Sequence, residues 1–447
     1  MATKKTSNSS SGKSSAKTNV KRVSTAVKKY DASKSVVQNS DAIKDIVTAT
    51  ATSAQRSSNK KQKTIFTVLL IILIVAIIVA IVYGYYHGWF DALLDNNSRD
   101  YNSATYSVSA IQNEQLSIHF MQLGNGYNGD SIYIKAGDTD ILIDAGSKES
   151  SAKSISSYVD QYCTDGKLEY VIVTHGDSDH IAGFVGTSSV KGIFDRYECE
   201  TIIQFARTNK TTKIYEKYCA KRDAEKANGA NVFTALDCTE NRNGAKSEYE
   251  LADGIKLKIL YQDYYVNSSS NENDYSVCLL LTQEYQKDGV TETNNYLLLG
   301  DLEEAGEKSL VQNNPDLPEV VLYKGGHHGS KTSANDVLLS KIKPQIVCIC
   351  CVAGSVEYTQ NLPNTFPTQD FINRIAPYTD AVYATDMATV KLTSGKYKNT
   401  DYGTLNGDIV FACSNGNITM YFSNNDTKLK DTEWFKDNRD CPQAWAN

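Results

Sequence analysis

Apolar residues are spread unevenly along the chain, and their spacing divides it. Residues 1–63 are Lys, Ser, Thr, Ala and Asn with almost no large apolar side chain. Such a stretch cannot bury enough surface to offset its conformational entropy, which predicts a disordered basic arm. Residues 64–83 (TIFTVLLIILIVAIIVAIVY) follow without a charge. About 20 such residues match a hydrocarbon layer of ~30 Å at ~1.5 Å per residue, so they predict a transmembrane helix. Tyr83, Tyr85, Tyr86, Trp89 and Phe90 supply an aromatic belt at one end, with His87 among them, and Lys60, Lys61 and Lys63 flank the other. The run is too long for a signal-peptide core and no small-x-small cleavage site follows it. Residues 84–111, polar and rich in Ser and Asn, read as a stalk.

Beyond the stalk the period changes to that of short strands alternating with helices. Residues 116–120 alternate, with Leu116, Ile118 and Phe120 on one face and His119 as an ordinary residue of the other. Strands are expected at 131–134, 141–143 and 170–173, with a helix over 151–162. A second series is expected at 255–260, 276–282, 296–299, 320–322, 345–351 and 409–413. Residues 208–228 are charged and helical, an insertion. Two strand-rich halves with intervening helices predict an α/β fold, an αββα sandwich, over 112–425. The tail, 426–447, shows no usable pattern.

Charge sets orientation. The arm holds 14 of the 46 basic residues and 3 of the 52 acidic ones, so residues 84–447 keep 32 basic against 49 acidic, a net of −17. The basic arm places the N-terminus in the cytoplasm and the large region outside, on a single-pass anchor in the cell membrane. An ectodomain this acidic disfavours long contact with nucleic acid. All ten cysteines fall after the span; the count permits disulfides without fixing any pairing. Cys348, Cys350 and Cys351 sit in an apolar run, where Cys acts as a small hydrophobe.

Three clusters carry candidate chemistry, each directly after an apolar strand. The run His175-Gly-Asp177-Ser-Asp179-His180 packs four metal-capable side chains into six positions. Gly300-Asp301-Leu-Glu303 ends a run of leucines, and His327-His328 lies in YKGGHHGSKTS. Strand ends on one edge of a sandwich can deliver all three to a common point. Two His with several carboxylates suit Zn²⁺ or Mn²⁺. Asp179 and Asp301, with His328, are the expected catalytic groups around an activated water. Ser333 as N-cap, with Asp336 closing a capping box, predicts a helix start that sets Ser330 and Lys331 beside the metals as a phosphate seat. The glycines 124, 126 and 129 read as a turn.

As an ordered set, THGDSDHIAG, LLLGDLE and GGHHGSKTS, together with Leu123-Gly-Asn-Gly, Gly129-Asp130-Ser and Ile141-Leu-Ile-Asp144-Ala-Gly146, resemble the metallo-β-lactamase superfamily. Within it they are most similar to the C-terminal hydrolase domain of the ComEC competence family, over roughly residues 114–415; the multi-span channel region of that family is missing. The resemblance implies that His175, Asp177, Asp179 and His180 form a metal loop, that Asp301 bridges, and that His327 is the last ligand. It implies that Asp144 supports the loop without touching metal. Two departures stand out. No histidine lies between His180 and His327, where Asp274 is the candidate substitute, and none lies near 364–367. One or two divalent ions are therefore both open.

The first functional expectation is a membrane-anchored hydrolase of phosphodiesters, a nuclease or a surface phosphodiesterase. The alternatives are hydrolysis of carboxylic esters, lactones or amides on the same metals, and a non-enzymatic surface binding protein with a degenerate site.

Overall fold

The computed structural model describes residues 102–388 and 402–446. The arm and the span expected at 64–83 lie outside them. Among the described residues no helix is long and apolar enough to cross a membrane.

In chain order the strands are β1 (Asn102–Thr105), β2 (Leu116–Phe120), β3 (Ile132–Ala136), β4 (Thr139–Ile143), β5 (Lys167–Val173), β6 (Glu198–Gln204) and β7 (Asn231–Thr234). Then come β8 (Glu248–Ala252), β9 (Ile255–Leu260), β10 (Cys278–Lys287), β11 (Val290–Leu298), β12 (Leu322–Lys324), β13 (Ile346–Ala353), β14 (Val382–Ala388), β15 (Tyr402–Thr404), β16 (Ile409–Ser414) and β17 (Asn417–Phe422). The helices are α1 (Val108–Gln112), α2 (Ser151–Val159), α3 (Ser178–Val185), α4 (Lys213–Ala227), α5 (Ala235–Thr239), α6 (Glu304–Asn313), α7 (Asp336–Ile342), α8 (Gln369–Ile375) and α9 (Glu433–Asn438). One sheet runs β1-β17-β16-β2-β3-β4-β5-β6-β7 and the other β15-β14-β13-β12-β11-β10-β9-β8.

The sheets pack because their strands are apolar on the facing side, and β13 shows how the layers follow from sequence. Its eight residues are all buried. Ile346, Cys348 and Cys350 join the core shared with β2, β3 and β5. Val347, Ile349, Cys351 and Ala353 face the other way, onto Leu338, Leu339 and Ile342 of α7 and Phe371, Ile372 and Ile375 of α8. A strand covered on both faces reads as a continuous apolar run, and truncating one of its side chains costs ~2–5 kcal/mol. This is the expected α/β architecture of two packed sheets with helices outside.

Two expected boundaries move. β1 and α1 fall within the stretch read as a stalk. β1 instead pairs in parallel with β17, Asn102 opposite Thr419, and α1 buries Ile111. The tail after 426 is ordered as well. Phe435 and Trp445 are buried against each other, and Trp445 Nε1 donates to Thr379 O at 2.8 Å. Two aromatic anchors hold it, which leaves no periodic stripe to read. All ten cysteines are unpaired, eight of them buried, and His119 is buried between Tyr158 Oη and Ser117 Oγ.

Candidate metal centre

The three chemical clusters follow β5, β11 and β12, whose ends lie together because β4, β5 and β6 run parallel in one sheet and β11, β12 and β13 in the other. Thr174, the first residue past β5, donates its N–H to Asp144 Oδ1 (2.8 Å) and its hydroxyl to Asp144 Oδ2 (2.7 Å). Asp144 sits just after β4 with φ 56°. Its Oδ2 lies 2.7 Å from His180 Nδ1, which aims His180 Nε2 at Asp301 Oδ2, 3.1 Å away. Asp144 therefore stands behind the cluster, fixing the tautomer and angle of a ligand-competent histidine. Gly129 lets the chain close over this loop. A Cβ there would meet Asp179 O at 2.7 Å, and without one Asp130 N–H reaches that carbonyl.

The two adjacent histidines separate. His327 (φ 41°, ψ 54°) and His328 (φ 52°, ψ 21°) are both left-handed, and their rings diverge with centroids 6.0 Å apart. His328 is fully buried, its Nδ1 2.8 Å from Cys350 O, and its Nε2 has no hydrogen-bond partner. That Nε2 lies 3.2 Å from Asp301 Oδ2 and 3.4 Å from Asp179 Oδ2. His327 turns outward, Nδ1 2.9 Å from Glu303 Oε1 and 3.3 Å from Thr332 Oγ1. The largest set of ligand atoms within 4.8 Å of one another among the described residues is thus Asp179, His180, Asp301 and His328; Asp130 and Asp144 form a second, three-residue set with His180 on its other side. The structure brings His328 into the cluster and leaves out His327, the ligand expected from the resemblance, because consecutive positive φ angles send the two side chains to opposite sides.

The other expected residues are placed as follows. His175 is buried with Nε2 unpartnered, its ring 4.1 Å from that of His180. Asp177 is ion-paired to Lys210 and its Oδ2 lies 3.6 Å from His175 Nε2. Asp274 is buried away from the cluster and accepts from Ser269 Oγ at 2.7 Å. Ser330 is buried, its hydroxyl spent on Thr332 Oγ1 at 2.9 Å, while the Lys331 side chain is exposed. The expected helix start shifts: Asn335, not Ser333, is the N-cap of α7, and no side chain caps it. Ala334 at φ 57° breaks the path, its N–H goes to Glu307 Oε1 (2.6 Å), and Ser333 Oγ donates to Leu302 O (2.7 Å). α7 has seven residues and starts at Asp336.

Several residues of the site were not singled out by sequence. Lys324, fully buried at the end of β12, pairs with Asp130, donates to Asp301 Oδ1 (2.9 Å) and to Gly300 O (2.7 Å). It ends an apolar run as a single charge, with no spacing to flag it. Tyr358 Oη donates to Asp179 Oδ2 at 2.6 Å. Glu303, quoted within GDLE, is the partner of His327.

The electrostatics follow from burial among opposite charges. Burial works to raise the Asp301 carboxyl, but His328, Lys324 and His180 overcome it and hold Asp301 well below the carboxylate range. Burial likewise opposes protonation of His180, yet Asp301, Asp144 and Asp130 lift it well above its ordinary value; Asp301 and Asp130 do the same for His328. His175 goes the other way, lowered by burial and by His180. Two imidazoles tied at Nδ1 and two carboxylates, with an orphaned His328 Nε2 among them, form a donor set that fits a divalent cation: mixed N/O and four ligands.

Residues 124–189, which hold the β3–β5 strands and the His175–His180 loop, match the family model of the metallo-beta-lactamase superfamily. The chain carries a metallo-beta-lactamase superfamily domain. It is also similar to Recombination protein 2 of Haemophilus influenzae, 25% identical over 215 residues, which are 48% of this chain and 21% of that protein. The chain thus matches about a fifth of the length of that relative. Among solved structures it is similar to a long-form RNase Z from yeast (10% identity, TM-score 0.33, 68% of this chain and 41% of that one). It is similar too to MEM-A1, a subclass B3 metallo-beta-lactamase from a soil metagenome library (12%, TM-score 0.29, 53% and 83%).

Proposed function

We propose that the chain is a metal-dependent hydrolase of phosphodiesters, working at Asp179, His180, Asp301 and His328 and tethered to a membrane by residues 64–83. The observation that carries this reading is the convergence of four ligand-competent side chains from three separate strand ends, one of them, His328 Nε2, buried with no hydrogen-bond partner. A divalent ion there, Zn²⁺ or Mn²⁺, supplies a Lewis acid and lowers the pKa of bound water toward ~7.

The chain's own groups do the rest. Asp179 is held below the carboxylate range against the effect of burial by its contacts with His328 and His180, so it stays an anion able to orient a water. Glu303 is lowered in the same way by His327 and Asn273. The Glu303 carboxylate accepts a hydrogen bond from His327 Nδ1 at 2.9 Å and so orients a ring whose centroid lies 6.0 Å from that of His328; an imidazolium held in this way can donate its Nε2 proton to a departing alkoxide. Such an acid assists departure of a poor leaving group, and an alkyl phosphodiester carries one. The Haemophilus relative, a recombination protein by name, points to nucleic acid, but a net charge of −17 over 84–447 favours a smaller phosphodiester, such as a cell-wall polymer substituent or a lipid headgroup.

The test is turnover of bis-p-nitrophenyl phosphate by the full chain in detergent, beside ester and lactone substrates. Metal-dependent turnover that vanishes in His180→Ala and Asp301→Ala is expected; unchanged turnover in both variants ends the proposal. For the anchor, the exposed Cys441 reports the side. An impermeant maleimide labels it in intact cells if the domain faces outward, and only after lysis if it faces in.

A further inference from the structure

A two-metal site would draw its second ion toward His175 and Asp177, and there the structure places a lysine. Lys210 is ion-paired to Asp177 Oδ1, and the loop that carries it is fixed in place. Glu272, buried beneath, accepts Gly176 N–H (3.1 Å) through one oxygen and Asn209 N–H (2.6 Å) through the other. Thr208 Oγ1 donates to the same carboxylate and accepts Lys210 N–H at 3.0 Å. One carboxylate therefore ties the metal loop to the lysine loop. The two are packed so closely that a Cβ on Gly176 would lie 2.7 Å from Glu272 Oε1 and 3.2 Å from Lys210 Cγ.

The donors point the same way. Neither His175 nor Asp177 belongs to any group of three ligand atoms among the described residues, and no histidine between 180 and 327 adds a third. Asp274 is turned to Ser269. The shared carboxylate is taken too, since Asp301 Oδ1 accepts from Lys324. A second divalent ion would meet one imidazole and two carboxylates that each already face an ammonium group. Like charges held this close repel strongly where water is scarce.

We infer that the centre holds one divalent ion, and that the Lys210 ammonium stands where a second would be, as the fixed positive charge on that side of the substrate phosphate. This rests on the metal-hydrolase reading above. Its test is a Mn²⁺ titration of chelator-stripped full chain, followed by calorimetry and electron paramagnetic resonance. Wild type should bind one equivalent with an uncoupled six-line signal, and Lys210→Arg and Asp177→Asn should keep it. Lys210→Ala should admit a second, weaker equivalent and an exchange-coupled spectrum. Two equivalents in the wild type, an equivalent lost in Asp177→Asn, or a Lys210→Ala protein still limited to one overturns the inference while leaving the hydrolase reading intact. No binding at all in the wild type overturns both.

Discussion

His328 Nε2 faces Asp301 Oδ2 from 3.2 Å while the Cys350 carbonyl holds the other nitrogen of the ring at 2.8 Å. That pair of contacts separates the roles of two neighbouring histidines. On the proposed reading His328→Ala removes a ligand, and it is expected to weaken metal binding by more than about 100-fold, beyond what losses outside the ligand set cost. His327→Ala should leave metal affinity unchanged and lower kcat by about 100- to 10,000-fold, the range of a lost general acid. Calorimetric metal titration beside kinetics on each variant decides; equal loss of metal in both defeats the assignment.

The carboxylates around His180 and His328 favour the protonated imidazoles. His180 and His328 are raised well above their ordinary value by Asp301 and its neighbours, against the effect of burial. A raised pKa means the imidazole is still protonated at neutral pH and must shed that proton before it can bind a cation. Metal affinity should therefore fall as pH falls, with proton release on binding. Titrations in buffers of different ionisation enthalpy measure it directly, and a release of zero at pH 7 contradicts the picture.

Asp144→Asn tests the support behind His180. Asn tolerates the left-handed backbone at φ 56°, so the fold should persist. The charge that orders His180 and Thr174 is lost. Metal affinity is expected to drop about 10- to 100-fold with little change in melting temperature, as read by titration and calorimetry together. A large loss of stability with intact affinity would make Asp144 a purely structural residue.

Asp386 and Asp408 give the fold a pH dependence of its own. Burial pushes Asp386 up to about 8, reinforced by Asp408, and burial pushes Asp408 to about 6. Both flank Gln122, whose side chain donates to Asp386 (2.6 Å) and whose N–H donates to Asp408 (2.8 Å). Between an ordinary carboxylate pKa of ~4 and these values the folded chain keeps protons that the unfolded chain has released. Stability then falls as pH rises across that window and levels off above it. In chelator, the melting temperature at pH 8.5 should lie several degrees below that at pH 5.5, and Asp386→Asn should flatten the slope. A higher melting temperature at pH 8.5 would reverse the sign and refute it.

Much of this was legible in the chain. Apolar runs of four to eight residues located most strands, and the clusters after β5, β11 and β12 were visible because a strand end is a fixed address on a sandwich edge. The choice between His327 and His328 was not legible, since it depends on two consecutive left-handed residues that no side-chain pattern announces. Lys324 and Asp130 lie inside the motifs but carry no spacing that assigns them a role, being single charges, one ending an apolar strand run and one opening another. Lys210 escaped because its loop is tied to the site through Glu272, more than sixty positions further along.

β16 and β17 return to the first sheet and sit between β1 and β2, with Phe411 opposite Ile118. Nearly the whole domain must be synthesised before β2 gains its second neighbour. Until then β2 presents an open edge to any strand that passes, and closing it joins segments almost three hundred residues apart, a slow search by topology alone. A nascent chain cut short before residue 409 thus ends its first sheet at β2, with that strand's outer hydrogen-bonding edge exposed.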